Sequence, residues 1–170
     1  VGGDSNRRPD LHWLQFIEKT LCNDLLFPTL DRAGVTGELL TFSAFETLLE
    51  QPWARLNDPN SETGLAALAG SNPDLLISLR YGRILQPTAI SLPPRGVLNL
   101  HSGRLPRYRG VMPTFRAMLA GDTLLGTTLH WIDDASIDTG RIVNTHTEPL
   151  DPQRCYLSNV LSLYETGATA

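Results

Sequence analysis

Apolar positions along this chain follow two rhythms, one helical and one made of short continuous runs. Through about residue 22, Leu11, Leu14, Ile17 and Leu21 recur at helical spacing, with Asp10 where an N-cap belongs. Residues 25–32 continue that helix past a break expected at Pro28. Ser43 is placed to cap a short helix carrying Phe45, Leu48 and Leu49. After the turn-rich run DPNSET at residues 58–63, a Leu- and Ala-rich helix runs to Gly70.

The second rhythm begins beyond Ser71-Asn72-Pro73. LLISL at residues 75–79 and GVLNL at 96–100 are short apolar runs bounded by turn residues, the pattern of buried strands. Residues 127–132 and 142–146 predict two more strands. Helices are expected near 87–92, over 112–120 with Phe115, Met118 and Leu119 on one side, and over 156–164. Alternating strands and helices predict an α/β domain with a Rossmann-like, largely parallel sheet and helices on both faces. Such sheets bind ligands beyond the carboxyl ends of their strands. Tyr81-Gly82, Asn99 with His101, and the acidic loop from Asp133 to Asp138 would all lie at or beside those ends.

Composition narrows the picture modestly. A chain of 170 residues, 41% hydrophobic, suits one domain burying roughly 70% of its unfolded surface. The net charge of −4, with Lys19 the only lysine, argues against non-specific nucleic-acid binding. Two well-separated cysteines, Cys22 and Cys155, make no disulfide framework, so a reduced cytoplasmic protein is expected. No apolar run approaches the roughly 20 residues of a membrane span. Phosphate-loop, nucleophile-elbow and HExxH patterns are missing, and His12, His130 and His146 lack a second ligand at metal spacing, so no metal is expected.

Taken singly, the polar residues near the strand ends are ordinary. Asn99 after an apolar strand satisfies turns in many proteins, an isolated His101 is more often structural, and Asp138-Thr139-Gly140 commonly marks a turn. His130, on an apolar strand, suggests a packed or supporting role, Tyr81 a pocket wall, and Arg104, Arg107 and Arg109 a solvated loop face from which one guanidinium could meet an anionic substrate. Cys22, Cys155 and His146 are read as structural or surface residues.

Taken together and in order, they have a precedent. Asn99-Leu100-His101, Leu105-Pro106, Arg109-Gly110, Gly126 before an apolar strand and Asp138-Thr139-Gly140 resemble the 10-formyltetrahydrofolate-dependent formyltransferases, which act on glycinamide ribonucleotide, methionyl-tRNA and amino sugars. The resemblance covers residues 74–143 and hardly touches the first seventy. It implies a single formyltransferase-like catalytic domain over residues 1–170, truncated at both ends and lacking the family's first strand. Asn99, His101 and Asp138 fall on the family's catalytic positions; Arg83, Ile84 and Leu85 match its pterin-pocket segment, and Asp134, Ala135, Ser136 and Ile137 the loop over that ring.

The implied reaction moves a formyl group from 10-formyltetrahydrofolate, a co-substrate, to an amine. Asn99 and protonated His101 would stabilise the tetrahedral oxyanion, such donors being worth about 3–4 kcal/mol each. Asp138 would favour the imidazolium, orient the ring and help move the amine's proton. A small amine acceptor (an amino sugar, amino acid or nucleotide-like molecule) is favoured over tRNA. The alternatives are hydrolysis of the same cofactor to formate and a non-catalytic folate- or partner-binding module. Two departures from the family stand out. Ser102-Gly103-Arg104 replaces a Pro or Ala followed by Ser-Leu, and the acidic loop is one residue longer, without its usual glycine.

Overall fold

The computed structural model describes residues 12–13, 16–33, 45–49 and 54–169, in a chain that divides into the units Val1–Leu56 and Asn57–Ala170. The expected caps at Asp10 and Ser43, with Leu11 and Leu14, lie outside the described residues.

In the first unit a π-helical stretch, Phe16–Leu26, runs straight into α1, Phe27–Ala33. A break was expected near Pro28; the helix instead continues through it, changing from π to α geometry at Leu26/Phe27 just before the proline, which has no N–H to give to the turn before it. Thr29 reinforces the junction by donating its hydroxyl to the Leu25 carbonyl at 2.7 Å.

The second unit opens with α2 (Glu62–Gly70), whose start follows from its sequence: the Gly64 amide donates to Ser61 Oγ at 3.1 Å, and Glu62 lies in the positive first turn. The chain continues through β1 (Leu76–Leu79), α3 (Pro87–Ile90), β2 (Val97–His101), α4 (Pro113–Leu119), β3 (Leu124–Trp131), β4 (Ile142–Pro149) and α5 (Tyr156–Thr169).

The four strands lie in the order β1-β2-β3-β4, and the expectation of a largely parallel sheet is corrected here. Only β1 and β2 run parallel; β2–β3 and β3–β4 are antiparallel, so the sheet is mixed. The reason lies in the connections. Parallel neighbours need a crossover that carries the chain back to the start of the strand. Residues 80–96 make that return between β1 and β2, whereas residues 132–141 turn from β3 into the adjacent β4 without a helix, and β3 comes back beside β2 with Leu98 opposite Trp131.

This topology decides where the site forms. Leu98 pairs with Trp131, Asn99 with His130 and His101 with Thr128. Directly opposed residues share a face, so Asn99, His101, Thr128 and His130 project together. Because β3 ends beside the start of β2, with the Ile132 amide on the Val97 carbonyl at 2.8 Å, the acidic loop departs from the end of β2 remote from His101. The polar groups therefore meet over a face of the sheet and not beyond a row of carboxyl ends.

Helix α5 packs on the opposite face, against β3. A Cβ on Gly167 would fall 2.2 Å from Thr127 Oγ1, so glycine permits this close approach, and the helix, expected over residues 156–164, runs on through Thr169. Leu125, Ala117, Leu163 and the Tyr108 ring form the core there, with Met118 and Leu150 against it. No helix among the described residues is long and apolar enough to cross a membrane.

Candidate active site

Strand alternation delivers Asn99, His101 and His130 to one face; a folded-back loop brings Asp138 to them. His101 Nδ1 lies 3.5 Å from Asp138 Oδ2, and His130 Nε2 lies 3.4 Å from Asp138 Oδ1. Asn99 Nδ2 is 3.1 Å from the same His130 Nε2. The two imidazoles stand nearly perpendicular, 6.3 Å apart at their centroids. The carboxylate is thus bracketed by two rings, and His130 links it to Asn99.

Backbone carbonyls assign the ring protons. A carbonyl only accepts, so His101 donates from Nε2 to Tyr108 O at 2.7 Å, and His130 donates from Nδ1 to Trp131 O at 2.8 Å. Each ring therefore turns its other nitrogen toward Asp138. His130 Nε2 can serve one neighbour at a time. When neutral it accepts from the Asn99 amide; when protonated it donates to Asp138.

Burial is the largest influence on His101, pushing its pKa below the usual imidazole value, with neighbouring His130 and Arg116 adding to the fall. Asp138 and the Tyr108 carbonyl pull upward and do not overcome it. The expectation that Asp138 would favour the imidazolium holds for that one pairwise effect; the net balance favours neutral His101. Burial also works to raise Asp138, but His130, the charge of His101 and the Gly110 amide outweigh it and hold the carboxyl below its usual range. That amide donates to Oδ2 at 2.7 Å.

Asp138 adopts a left-handed backbone, φ +51°, a conformation Asp tolerates better than most side chains. Gly140 makes the loop's return possible: a Cβ there would lie 1.8 Å from the Trp131 carbonyl oxygen. Asp134 folds onto its own loop, accepting the Ser136 amide at 2.7 Å, and that bond holds its pKa low. Ala135 is half-buried, Ser136 is exposed, and exposed Ile137 reaches over Gly110.

Arg83, Ile84 and Leu85 follow β1, with Leu85 buried and the other two exposed. No hydrogen bond or ion pair among the described residues ties them to Asn99, His101 or Asp138. Asn60 positions them instead, donating to Ile84 O at 2.9 Å and accepting from the Gln86 amide at 2.8 Å. Sequence reasoning passed over Asn60, which lies in a turn-rich run; it read His130 as packed or supporting, and the structure adds its place between Asn99 and Asp138. The signal for His130 was its register opposite Asn99, visible only once the strands pair antiparallel.

Residues 27–156, well over half of the chain, match the formyl transferase family. The chain belongs to that family. Over 122 residues it is 43% identical to the methionyl-tRNA formyltransferase of Nitrosococcus oceani, a match covering 72% of this chain and 36% of that protein. The chain thus spans little more than a third of the length of that curated relative. In three dimensions it resembles the phosphoribosylglycinamide formyltransferase of Bacillus halodurans, with a TM-score of 0.62 at 18% identity over 82% of this chain and 80% of that one. It also resembles WlaRD, a sugar 3N-formyl transferase solved in the presence of dTDP and 5-N-formyl-THF, at TM-score 0.50 and 28% identity over 56% of this chain and 34% of that one. The α/β fold with its mixed sheet is structurally similar to that of solved formyltransferases.

Proposed function

We propose that the chain carries the catalytic site of an enzyme transferring a formyl group from 10-formyltetrahydrofolate to an amine. The observation that supports this best is Asp138 bracketed by His101 and His130, with the Asn99 amide on His130. The donor, when bound, supplies an activated formyl carbon. Ile84 and Ile137, apolar yet 48% and 52% exposed, with Arg83, Leu85, Asp134, Ala135 and Ser136, would hold its flat ring; Asn60 keeps the backbone of that first segment in place.

The residues of the chain then divide the work. Asn99 offers an amide N–H to an oxygen gaining negative charge. Asp138, held ionised, would take up the proton of the attacking amine directly or through water, and the imidazoles beside it would pass a proton to the donor's leaving nitrogen as its bond to the formyl carbon breaks, which balances the transfer and releases tetrahydrofolate. When His130 Nε2 is protonated it no longer accepts from Asn99, so proton uptake frees the amide for the substrate oxygen.

The acceptor is an amine; a small one, such as an amino sugar, amino acid or nucleotide-like amine, is the first reading. The 43% identity to a methionyl-tRNA formyltransferase favours a second, the amino group of a charged tRNA. Incubation with 10-formyltetrahydrofolate and each acceptor class in turn, following release of tetrahydrofolate, tests both readings. Formate release with no amine present would replace transfer by hydrolysis. Tight folate binding with neither product would leave a binding module.

A further inference from the structure

Asp122 lies between α4 and β3, held by its own amide on the Ala117 carbonyl at 3.0 Å after the left-handed turn at Gly121. Its carboxylate gathers three side chains from the loop that follows His101. Oδ2 accepts from the Tyr108 hydroxyl at 2.8 Å and from Arg104 Nη2, and Oδ1 pairs with Arg107 Nη2 at 3.2 Å. Arg104 Nε is buried without a partner among the described residues, so Asp122 is the anion that neutralises this guanidinium.

The same loop is fastened on its other side. Thr128 donates its hydroxyl to the Gly103 carbonyl at 2.7 Å and accepts the Leu105 amide at 3.1 Å. Arg104 reaches Asp122 by crossing β3 at Gly126, where a Cβ would fall 2.8 Å from Arg104 Cγ. Tyr108 is therefore fixed by its ring in the core and by its hydroxyl on Asp122, and its carbonyl is the group that receives the His101 Nε2 proton. Two residues later, the Gly110 amide anchors Asp138.

We propose that Asp122 is a positioning residue for this site: by clamping Arg104, Arg107 and Tyr108, it sets the carbonyl that decides which nitrogen of His101 carries the proton and the amide that anchors Asp138. Asp122 acts through the loop and not on substrate. Its kinetic consequence rests on the formyl-transfer reading, whereas the ring tautomer is independent of it.

The test is nitrogen-15 NMR of the His101 imidazole in the folded protein, above the range where the ring is protonated, in wild type, Asp122→Asn and Tyr108→Phe. Wild type is expected to hold its proton on Nε2. Asp122→Asn is expected to give a mixture of the two tautomers, and Tyr108→Phe a smaller change in the same direction. Turnover should fall about tenfold or more in Asp122→Asn with acceptor KM little changed, as expected for misplacement of a reacting group. An unaltered Nε2–H tautomer in both folded variants overturns the proposal even if activity is lost. If Asp122→Asn does not fold, Tyr108→Phe decides by the same criterion. Absence of formyl transfer by the wild type would count against the proposed function alone and leave the tautomer to judge Asp122.

Discussion

Asp138 sets one carboxylate oxygen 3.5 Å from Nδ1 of His101, yet burial governs that imidazole more strongly than the carboxylate does. The pair is poised so that His101 is neutral at rest while a charge-stabilising partner waits beside it. Asp138→Asn removes the charge and keeps the shape. It is expected to lower turnover about a hundredfold or more, the scale of lost acid–base assistance. The His101 pKa should fall further, because its largest upward influence is gone. Steady-state kinetics and circular dichroism check this; wild-type turnover in a folded variant would remove Asp138 from the proposed chemistry.

The two pKa directions make a joint statement about stability. His101 is lowered by burial, so between its folded and unfolded pKa values the unfolded chain binds the proton more readily. Its contribution is complete above the ordinary imidazole value of about 6.5 and drains away as pH falls through the lower folded value. Asp138 is also lowered, burial being outweighed by its hydrogen bonds and the neighbouring charge. It stabilises the fold above the ordinary carboxyl value of about 3.9 and loses that effect as pH drops through its folded one. Denaturant titrations from pH 8 to pH 3 should show stability declining in two stages. His101→Gln is expected to flatten the upper stage and, by removing one of the charges that hold Asp138 low, to shrink the lower.

At His130 the structure adds most to the packed or supporting role read from its apolar strand. Asn99, His101 and Asp138 were legible because they sit in short motifs whose order is itself a signal. His130 carries no motif, and its importance depends on pairing opposite Asn99, which requires β3 to run antiparallel. The alternation of strands and helices suggested the opposite direction, since it records element type and not which way the next strand runs. Similarly, α5 extends past its expected end at residue 164 to Thr169, and along that extension Gly167 lets it lie close against Thr127. Local pattern located the elements and the motifs; packing set the direction of the strands.

Because it is 1% exposed and bonds to the Trp131 carbonyl while meeting Asn99 and Asp138, His130 should matter to both fold and activity. His130→Leu strands the Trp131 carbonyl and an Asn99 amide proton. The expected loss is about 1–3 kcal/mol of stability from unsatisfied buried groups, measurable by urea unfolding. Turnover should fall at least about tenfold because the imidazole that positions Asn99 is gone. A variant that is destabilised but fully active at low temperature would confine His130 to packing.

Asn60 offers a separate test of the proposed donor-binding segment, residues 83–85, away from Asn99, His101 and Asp138. Its amide closes on Ile84 O and the Gln86 amide, and nothing else in the turn replaces those bonds. Asn60→Ala is expected to raise the KM for the formyl donor several-fold while leaving kcat within about twofold, the pattern of lost uniform binding. A change in kcat with unaltered donor KM would place residues 83–85 outside the donor pocket.

Gly103, one of the residues where this chain departs from the pattern it resembles, fits tightly within the loop that follows His101. A Cβ there would fall 2.4 Å from Pro113 Cβ and 3.0 Å from both His101 Nε2 and the Tyr108 carbonyl oxygen. The first contact is a collision with a rigid ring, and the other two flank the bond that fixes the His101 proton. Gly103→Ala must therefore move Pro113, the loop or the imidazole. Overpacking of this kind costs about 1–3 kcal/mol, so a lower melting temperature is expected. Turnover should drop more than the retained folded fraction explains, since the displaced atoms include the proton-bearing nitrogen. If the alanine variant keeps full turnover and an unshifted His101 resonance, Ser102-Gly103-Arg104 is a neutral departure, and the loop has slack that these distances do not suggest.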